Sequence, residues 1–168
     1  MAIITETVRL KIRHLEQGDF DAFQRMERNS EVKRYTNPNG NTTPAYILQD
    51  FKKLMGYYKS VNAPLWVWAV ENDEGNFIGT GALVRSNQIY EIGYRFLPEY
   101  WGRGYGKELC RALIDYAFEE LKAVKITAVA CLKNQASIKI LDSIMVFVKE
   151  EYNAEFADID RHYELIRQ

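Results

Sequence analysis

Three alternate glycines, Gly102, Gly104 and Gly106, stand between a proline and a long amphipathic run, and no other segment limits the chain as tightly. Pro98 has no N–H to give a sheet ladder, so it closes the strand that residues 89–97 predict. Beyond the glycines, Leu109, Leu113, Ala117 and Leu121 share one stripe with Cys110 and Ile114 beside it, which predicts a helix over 107–121. The first amides of such a helix have no partners within it. Glycines let a phosphate approach the backbone with no Cβ in the way, the helix N-terminus adds partial positive charge, and Arg103 and Lys107 add full charges. The loop is therefore predicted to hold a phosphate. The competing reading is a glycine-rich turn that only joins strand to helix.

Two familiar phosphate sites fail on spacing. A P-loop aligned on Gly106 and Lys107 needs glycine at 101 and Ser or Thr at 108, where this chain has Trp101 and Glu108. A dinucleotide fingerprint beginning at Gly102 needs glycine at 107, the position of Lys107, and no acidic ribose clamp follows the next strand. With 22 basic and 23 acidic residues the chain has no overall positive field, which removes the usual drive for nonspecific nucleic-acid binding. Its longest apolar runs, 65–70 and 126–132, fall far short of the roughly 20 residues that cross a bilayer. No secretory signal is evident at the N-terminus, so cytoplasmic residence is expected and membrane association is not. Cys110 and Cys131 fall in a helical and a strand pattern and are read as buried free thiols; His14 and His162 lack neighbours at metal-ligand spacing, so no metal is expected.

The 168 residues, 47% hydrophobic and 27% charged, suit one domain spanning 1–168, with no linker or repeat. Val8, Leu10 and Ile12 alternate with Arg9, Lys11 and Arg13, predicting a first strand. A short helix is predicted over 19–28, and a longer one after Thr43-Pro44, where Ile47, Phe51, Leu54 and Tyr58 recur on one face. Strands over 65–71, 77–84 and 89–97, joined by short polar turns, form an antiparallel meander. After the 107–121 helix come a strand at 125–132, a short helix at 134–143, and strands at 145–152 and 161–166 around a loop at 153–160. The order describes a mixed α/β (α+β) arrangement around one sheet.

The block from Glu91 to Gly106, followed by helix, strand and Asn134-Gln135-Ala136-Ser137, resembles the GNAT superfamily of acetyl-CoA-dependent N-acetyltransferases. Its Tyr100-Trp101-Gly102-Arg103-Gly104-Tyr105 wording is similar to the branch of ribosomal-protein N-terminal acetyltransferases, as are Arg9 to Arg13 and the order of elements over nearly the whole chain. The resemblance implies a mostly antiparallel mixed sheet, flanked by helices and splayed between its fourth and fifth strands because Pro98 ends their pairing. It implies acetyl-CoA as cosubstrate, with the diphosphate on the amides of Arg103, Gly104, Tyr105, Gly106 and Lys107 and pantetheine in the wedge beside Phe96 and Leu97, lined by Asn134 and Ser137. The chain departs from the pattern at Ile144-Met145-Val146-Phe147, where relatives carry a Leu-Gly-Phe turn, and at Leu141, where many carry a tyrosine acid.

Acetyl transfer from a thioester to an amine needs a neutral amine, a donor to the carbonyl oxygen and help for the departing thiolate. Under the resemblance Glu91, which shares a strand face with Gly93 and Arg95, is the expected base; it could instead be an inert partner of Arg85 or Arg95. A backbone amide near Phe96 or Leu97 is expected to meet the oxyanion, and Ser137 the thiolate, unless Ser137 only caps its helix or bonds the cofactor. Neither cysteine has a histidine neighbour, so direct attack in a ternary complex is expected over an acyl-cysteine. Residues 29–43, Trp66, Trp68 and the loop 153–160 are expected around the acceptor, with Glu155, Asp158 and Asp160 either attracting a cation or simply solvated. The acceptor is expected to be a protein or peptide N-terminus. A small amine, a noncatalytic acyl-CoA-binding role and a homodimer stay open.

Overall fold

The chain starts with a hairpin, not the single strand its alternation predicts. In a computed structural model that describes residues 2–167, β1 (Ile3–Glu6) pairs antiparallel with β2 (Leu10–Arg13). Val8 lies in the turn, 96% exposed, so the predicted strand began two residues early. β1 carries only Ile3 and Ile4 before Thr5, too short a run to announce itself as a strand.

From β2 the sheet continues through β3 (Leu65–Asn72), β4 (Phe77–Ser86) and β5 (Ile89–Phe96), all antiparallel as the short polar turns require. β6 (Lys125–Cys131) lies parallel to β5, β8 (Asp158–Ile166) antiparallel to β6, and β7 (Val146–Asn153) forms the outer edge. The eight strands form one mostly antiparallel sheet, ordered β1-β2-β3-β4-β5-β6-β8-β7. The β7–β8 turn is shorter than the predicted loop, and β8 starts at Asp158.

Among the described residues, five α-helices flank this sheet: α1 (Phe20–Arg28), α2 (Ser30–Lys33), α3 (Pro44–Tyr57), α4 (Tyr105–Glu119) and α5 (Gln135–Asp142). The single turn α2 lacked an apolar period to predict it; the Asn29 side chain accepts from the amides of Glu31 and Val32 at its start. On one face of the sheet Leu109, Leu113 and Ala117 of α4 pack against Ile12, Val70, Leu83 and Ile92. On the other, Phe23 of α1 and Phe51 of α3 pack against Val67, Ala69 and Leu97. Trp66 and Trp68, expected near the acceptor, belong to the α4-side core instead: they are 8% and 2% exposed, and Trp66 stacks on both Trp68 and Tyr90. Residues 66 and 68 share the parity of Val70, which turns them toward α4.

β5 and β6 pair over three positions only, Ile89 with Lys125, Tyr90 with Ile126 and Glu91 with Thr127, and then part. The predicted splay is present, but its cause is not Pro98. Pairing has ended by Ile92, well before the proline. The Ile144–Phe147 turn closes without glycine: the amides of Ile144 and Met145 both donate to the Leu141 carbonyl (3.1 and 2.8 Å), and neither residue takes a positive φ. Among the described residues, no helix is long and apolar enough to cross a membrane.

Arg13 ties β2 to α1 and β3. Its guanidinium donates to both carboxylate oxygens of Asp19 (2.8 and 2.9 Å) and to Glu71 (2.8 Å), with Arg13 and Asp19 both buried. Removing one member of such a group leaves a buried charge without its partner. Arg13→Ala is expected to cost about 3–5 kcal/mol in urea denaturation; a loss below about 1 kcal/mol would mean the cluster is as weak as an exposed pair.

Candidate active site

The glycine loop is held from both ends. A single 3₁₀ turn at Pro98–Tyr100 follows β5, and the Trp101 indole N–H donates to the Phe96 carbonyl (2.8 Å), folding the loop back on the strand it leaves. Gly102 and Gly104 take φ values of +72° and +81°, which a side chain would strain. Gly104 is the N-cap of α4, and the first bond across the helix start runs from the Glu108 amide to the Gly104 carbonyl (3.3 Å). The amides of Tyr105, Gly106 and Lys107 therefore have no carbonyl one turn earlier in the helix to bond. Gly106 serves a different need: a Cβ there would lie 2.8 Å from Ile140 Cδ1, so its absence lets α4 and α5 approach.

Arg9, at the start of β2, clamps this loop. Its guanidinium bonds the Glu108 carboxylate (2.6 and 2.8 Å) and the Arg103 carbonyl (2.9 Å), and lies over the Tyr105 ring. Glu108, which ruled out a P-loop, is thus the loop's anchor. The Arg103 side chain turns over Tyr100, whereas Lys107 lines the cleft described next.

Where β5 and β6 part, a cleft of about 630 Å³ opens, lined by Tyr94, Phe96, Tyr105, Lys107, Asn134 and Ser137 among others. Gly104 and Gly106 also line it. Leu97 does not: its side chain is 1% exposed in the opposite core, and its amide donates to Ile78 (2.9 Å). That bond also sets the phase of the β4–β5 ladder. Arg95 faces β4 through its amide, and the amides of Tyr94 and Phe96 point away from β4 into the wedge. Of the two amides considered for the oxyanion, Phe96 is available and Leu97 is taken.

The Asn134 side chain caps α5, accepting from the Ser137 amide (3.3 Å). Ser137 is therefore not the cap. Its hydroxyl instead meets the Tyr94 hydroxyl at 2.6 Å. Tyr94 was missed in the sequence, although its even parity on β5 sets it opposite Glu91. Cys110, fully buried on α4, contacts Tyr94, and burial pushes its thiol up to about 12. Cys131 is also a buried free thiol shifted upward, by burial first. Neither carries the low thiol pKa of a nucleophile.

Glu91 lies at the apex of the wedge, on the sheet face opposite Tyr94 and Ser137. Arg85 bonds Asn87, Val61 and Asn62, and Arg95 pairs with Glu27 (2.6 Å), so neither arginine neutralises it. Although more than a third of the residue is open to solvent, crowding around the carboxyl raises its pKa by desolvation, against a smaller lowering by His162. Thr127, Val129, His162 and Glu164 continue the same face of β6 and β8, each half-exposed, while α1 and α3 pack over β4 and β3. Of the loop acids, Asp158 pairs with Lys133 (2.8 Å), Asp160 accepts from Asn153 (2.8 Å) and Glu155 is exposed.

The Glu91 carboxyl is expected to titrate above the ordinary value of 4.5 when followed by NMR. A raised native pKa means that unfolding releases a proton, so this group's contribution to stability falls as pH rises from 4.5 through the native pKa. Glu91→Gln should accordingly raise the melting temperature at neutral pH, with no gain below the unfolded value. A carboxyl titrating at or below 4.5 would contradict its crowded placement.

Comparison with known proteins agrees with this geometry. Residues 9–144 match the family described as acetyltransferase (GNAT) domain. The uncharacterized N-acetyltransferase YoaA of Bacillus subtilis (strain 168) is 30% identical over 145 residues, covering 82% of this chain and 79% of that protein. The spermidine N(1)-acetyltransferase of Vibrio cholerae serotype O1 is 25% identical over 164 residues, 92% of this chain and 91% of that protein. The ribosomal L7/L12 alpha-N-protein acetyltransferase RimL, solved in complex with coenzyme A, superposes with a TM-score of 0.86 over 98% of this chain and 97% of its own; at 14% identity that likeness is one of fold.

Proposed function

The chain belongs to the GNAT acetyltransferase family and is an acetyl-CoA-dependent N-acetyltransferase, and from that premise we propose that its acceptor is the N-terminal amine of a protein or peptide, attacked directly in a ternary complex. The observation that carries this reading is the half-exposed face of β6 and β8 beside Glu91, which α1 and α3 leave uncovered, so an extended chain can lie along it. RimL acts on such an amine and shares the fold. Amine chemistry points the same way. At pH 7 about one N-terminal amine in ten is already neutral, against about one in 2,500 lysine-type amines. A lone carboxylate is better matched to the first.

The cleft fits acetyl-CoA by its own features. Amides at the start of α4, glycine backbone at Gly104 and the Lys107 ammonium suit a diphosphate. The unpaired edge of β5 and the apolar wall of Phe96 suit the pantetheine arm, whose amides can complete that edge. Asn134 and Ser137 border the same space. The amine nitrogen bonds to the carbonyl carbon as the C–S bond breaks with its electron pair on sulfur. The amine proton passes to Glu91, directly or through one water. The Phe96 amide is the donor for the carbonyl oxygen as charge develops, and Ser137 the donor for the sulfur.

The test is thiol release from acetyl-CoA with a panel of free-N-terminus peptides, a lysine peptide blocked at its N-terminus, and spermidine, with products identified by mass. Turnover of the free-N-terminus peptides is expected to exceed the others. Turnover of spermidine alone would move the acceptor to small amines, as in the Vibrio cholerae relative. Binding of CoA with no turnover of any amine would favour a noncatalytic module. Glu91→Gln is expected to lower kcat about 100-fold near pH 7, with the loss shrinking toward about pH 9, where a terminal amine is neutral unaided.

A further inference from the structure

Tyr94 sits between three elements. Its hydroxyl lies 2.6 Å from Ser137 on α5, its ring lies within van der Waals distance of the Gly106 position on α4, and its oxygen contacts Cys110 one turn further along that helix. Both Tyr94 and Ser137 line the cleft, whereas Cys110 is wholly buried behind it. We propose that Tyr94 is a positioning residue for acetyl transfer: it donates to Ser137, and so aims the Ser137 hydrogen at the thioester sulfur.

Two hydroxyls at this distance can share their hydrogens in either sense, and their chemistry selects one. A phenol is the more acidic O–H and an alkyl hydroxyl oxygen the better acceptor, so the stable order is Tyr94 donating and Ser137 accepting. Cys110, held as a thiol by burial, closes the inner side of the phenol and places no charge there that would reverse this order. In that order the Ser137 hydrogen is left free to point into the cleft that Ser137 lines. Burial keeps the Tyr94 phenol protonated, so the chain presents a donor at any working pH. No proton leaves it. The C–S bond breaks with its pair on sulfur, Ser137 holds the thiolate by a hydrogen bond, and CoA takes its proton from solvent afterwards. The inference rests on the reading of Ser137 given above and adds the residue that makes its orientation single-valued.

The probe is CoA itself, because its thiol reports the donor without any acceptor amine. The thiol of CoA bound to the intact protein is titrated by its ultraviolet thiolate absorbance, against matched protein blanks that remove tyrosinate. In the wild type it should titrate below the free thiol by about one pH unit, the tenfold change that one hydrogen bond to a charge supplies. Ser137→Ala should abolish that lowering, and Tyr94→Phe should remove most of it with CoA affinity within about twofold. The double variant should match Ser137→Ala alone, since Tyr94 acts through Ser137. Cys110→Ala, which leaves the Tyr94–Ser137 pair in place, should keep most of the lowering, and it separates loss of the Tyr94 hydroxyl from loosening behind the cleft should Tyr94→Phe lower the melting temperature. A shift in Ser137→Ala with none in Tyr94→Phe, or additive shifts in the double variant, would overturn the positioning role. No shift in Ser137→Ala would overturn the Ser137 role itself, and failure of CoA to bind would overturn the cofactor reading and this inference together.

Discussion

Strands β5 and β6 stay paired for three residues and then leave each other, and a ladder that ends inside a sheet exposes backbone donors and acceptors that have no partners. Such an edge is costly in an isolated domain unless water or a ligand completes it. Here the gap is propped open from both sides. Tyr94 spans it to reach Ser137, and the Gly106 to Ile140 contact sets how close α4 and α5 can come. The cleft is a consequence of packing around the separation.

The same separation explains why the glycine loop is anchored so firmly. Leaving the end of β5, the chain must turn into α4 within a few residues, and two of those residues take positive φ. Left alone, such a loop would sample many shapes. Three contacts remove that freedom: the Trp101 indole on the Phe96 carbonyl, Arg9 on the Arg103 carbonyl, and Glu108 holding Arg9. Arg9 comes from the far end of the sequence, on the hairpin that also closes the sheet edge. The N-terminal strands thus hold the glycine loop in shape through Arg9.

Much of this was legible in the sequence, for reasons tied to period and spacing. The meander of β3 to β5, the α4 stripe and the glycine loop carry local signals that tertiary contacts do not override. What escaped depends on contacts between distant residues. Nothing near Arg9 says that it will meet Glu108, and Ile3 and Ile4 are too few to show a strand. Trp66 and Trp68 were placed by analogy, when alternation with Val70 already assigned them to the α4-side core. Tyr94 was within reach: once Glu91, Gly93 and Arg95 are given one face of β5, Tyr94 and Phe96 must take the other. The splay is expected from Pro98 because a proline at a strand's end is visible locally, whereas the point at which two distant strands stop pairing is not.

The pleat of β5 also divides the chemistry. Successive residues point to opposite faces, so the Glu91 carboxylate and the Tyr94–Ser137 hydroxyl pair lie on opposite sides of the sheet where β5 and β6 part, with Gly93 between Glu91 and Arg95 adding no side chain on the Glu91 face. Desolvation raises the Glu91 pKa against a smaller lowering by His162, and Arg95, two residues along on the same face at about 7 Å of strand, is a further cation on that face. Glu27 of α1 takes that guanidinium at 2.6 Å. Without Glu27 the charge of Arg95 would favour the ionised carboxylate, lower its pKa and weaken it as a base. An ion pair that belongs by position to the packing of α1 against the sheet thus engages the cation one full pleat from the candidate base.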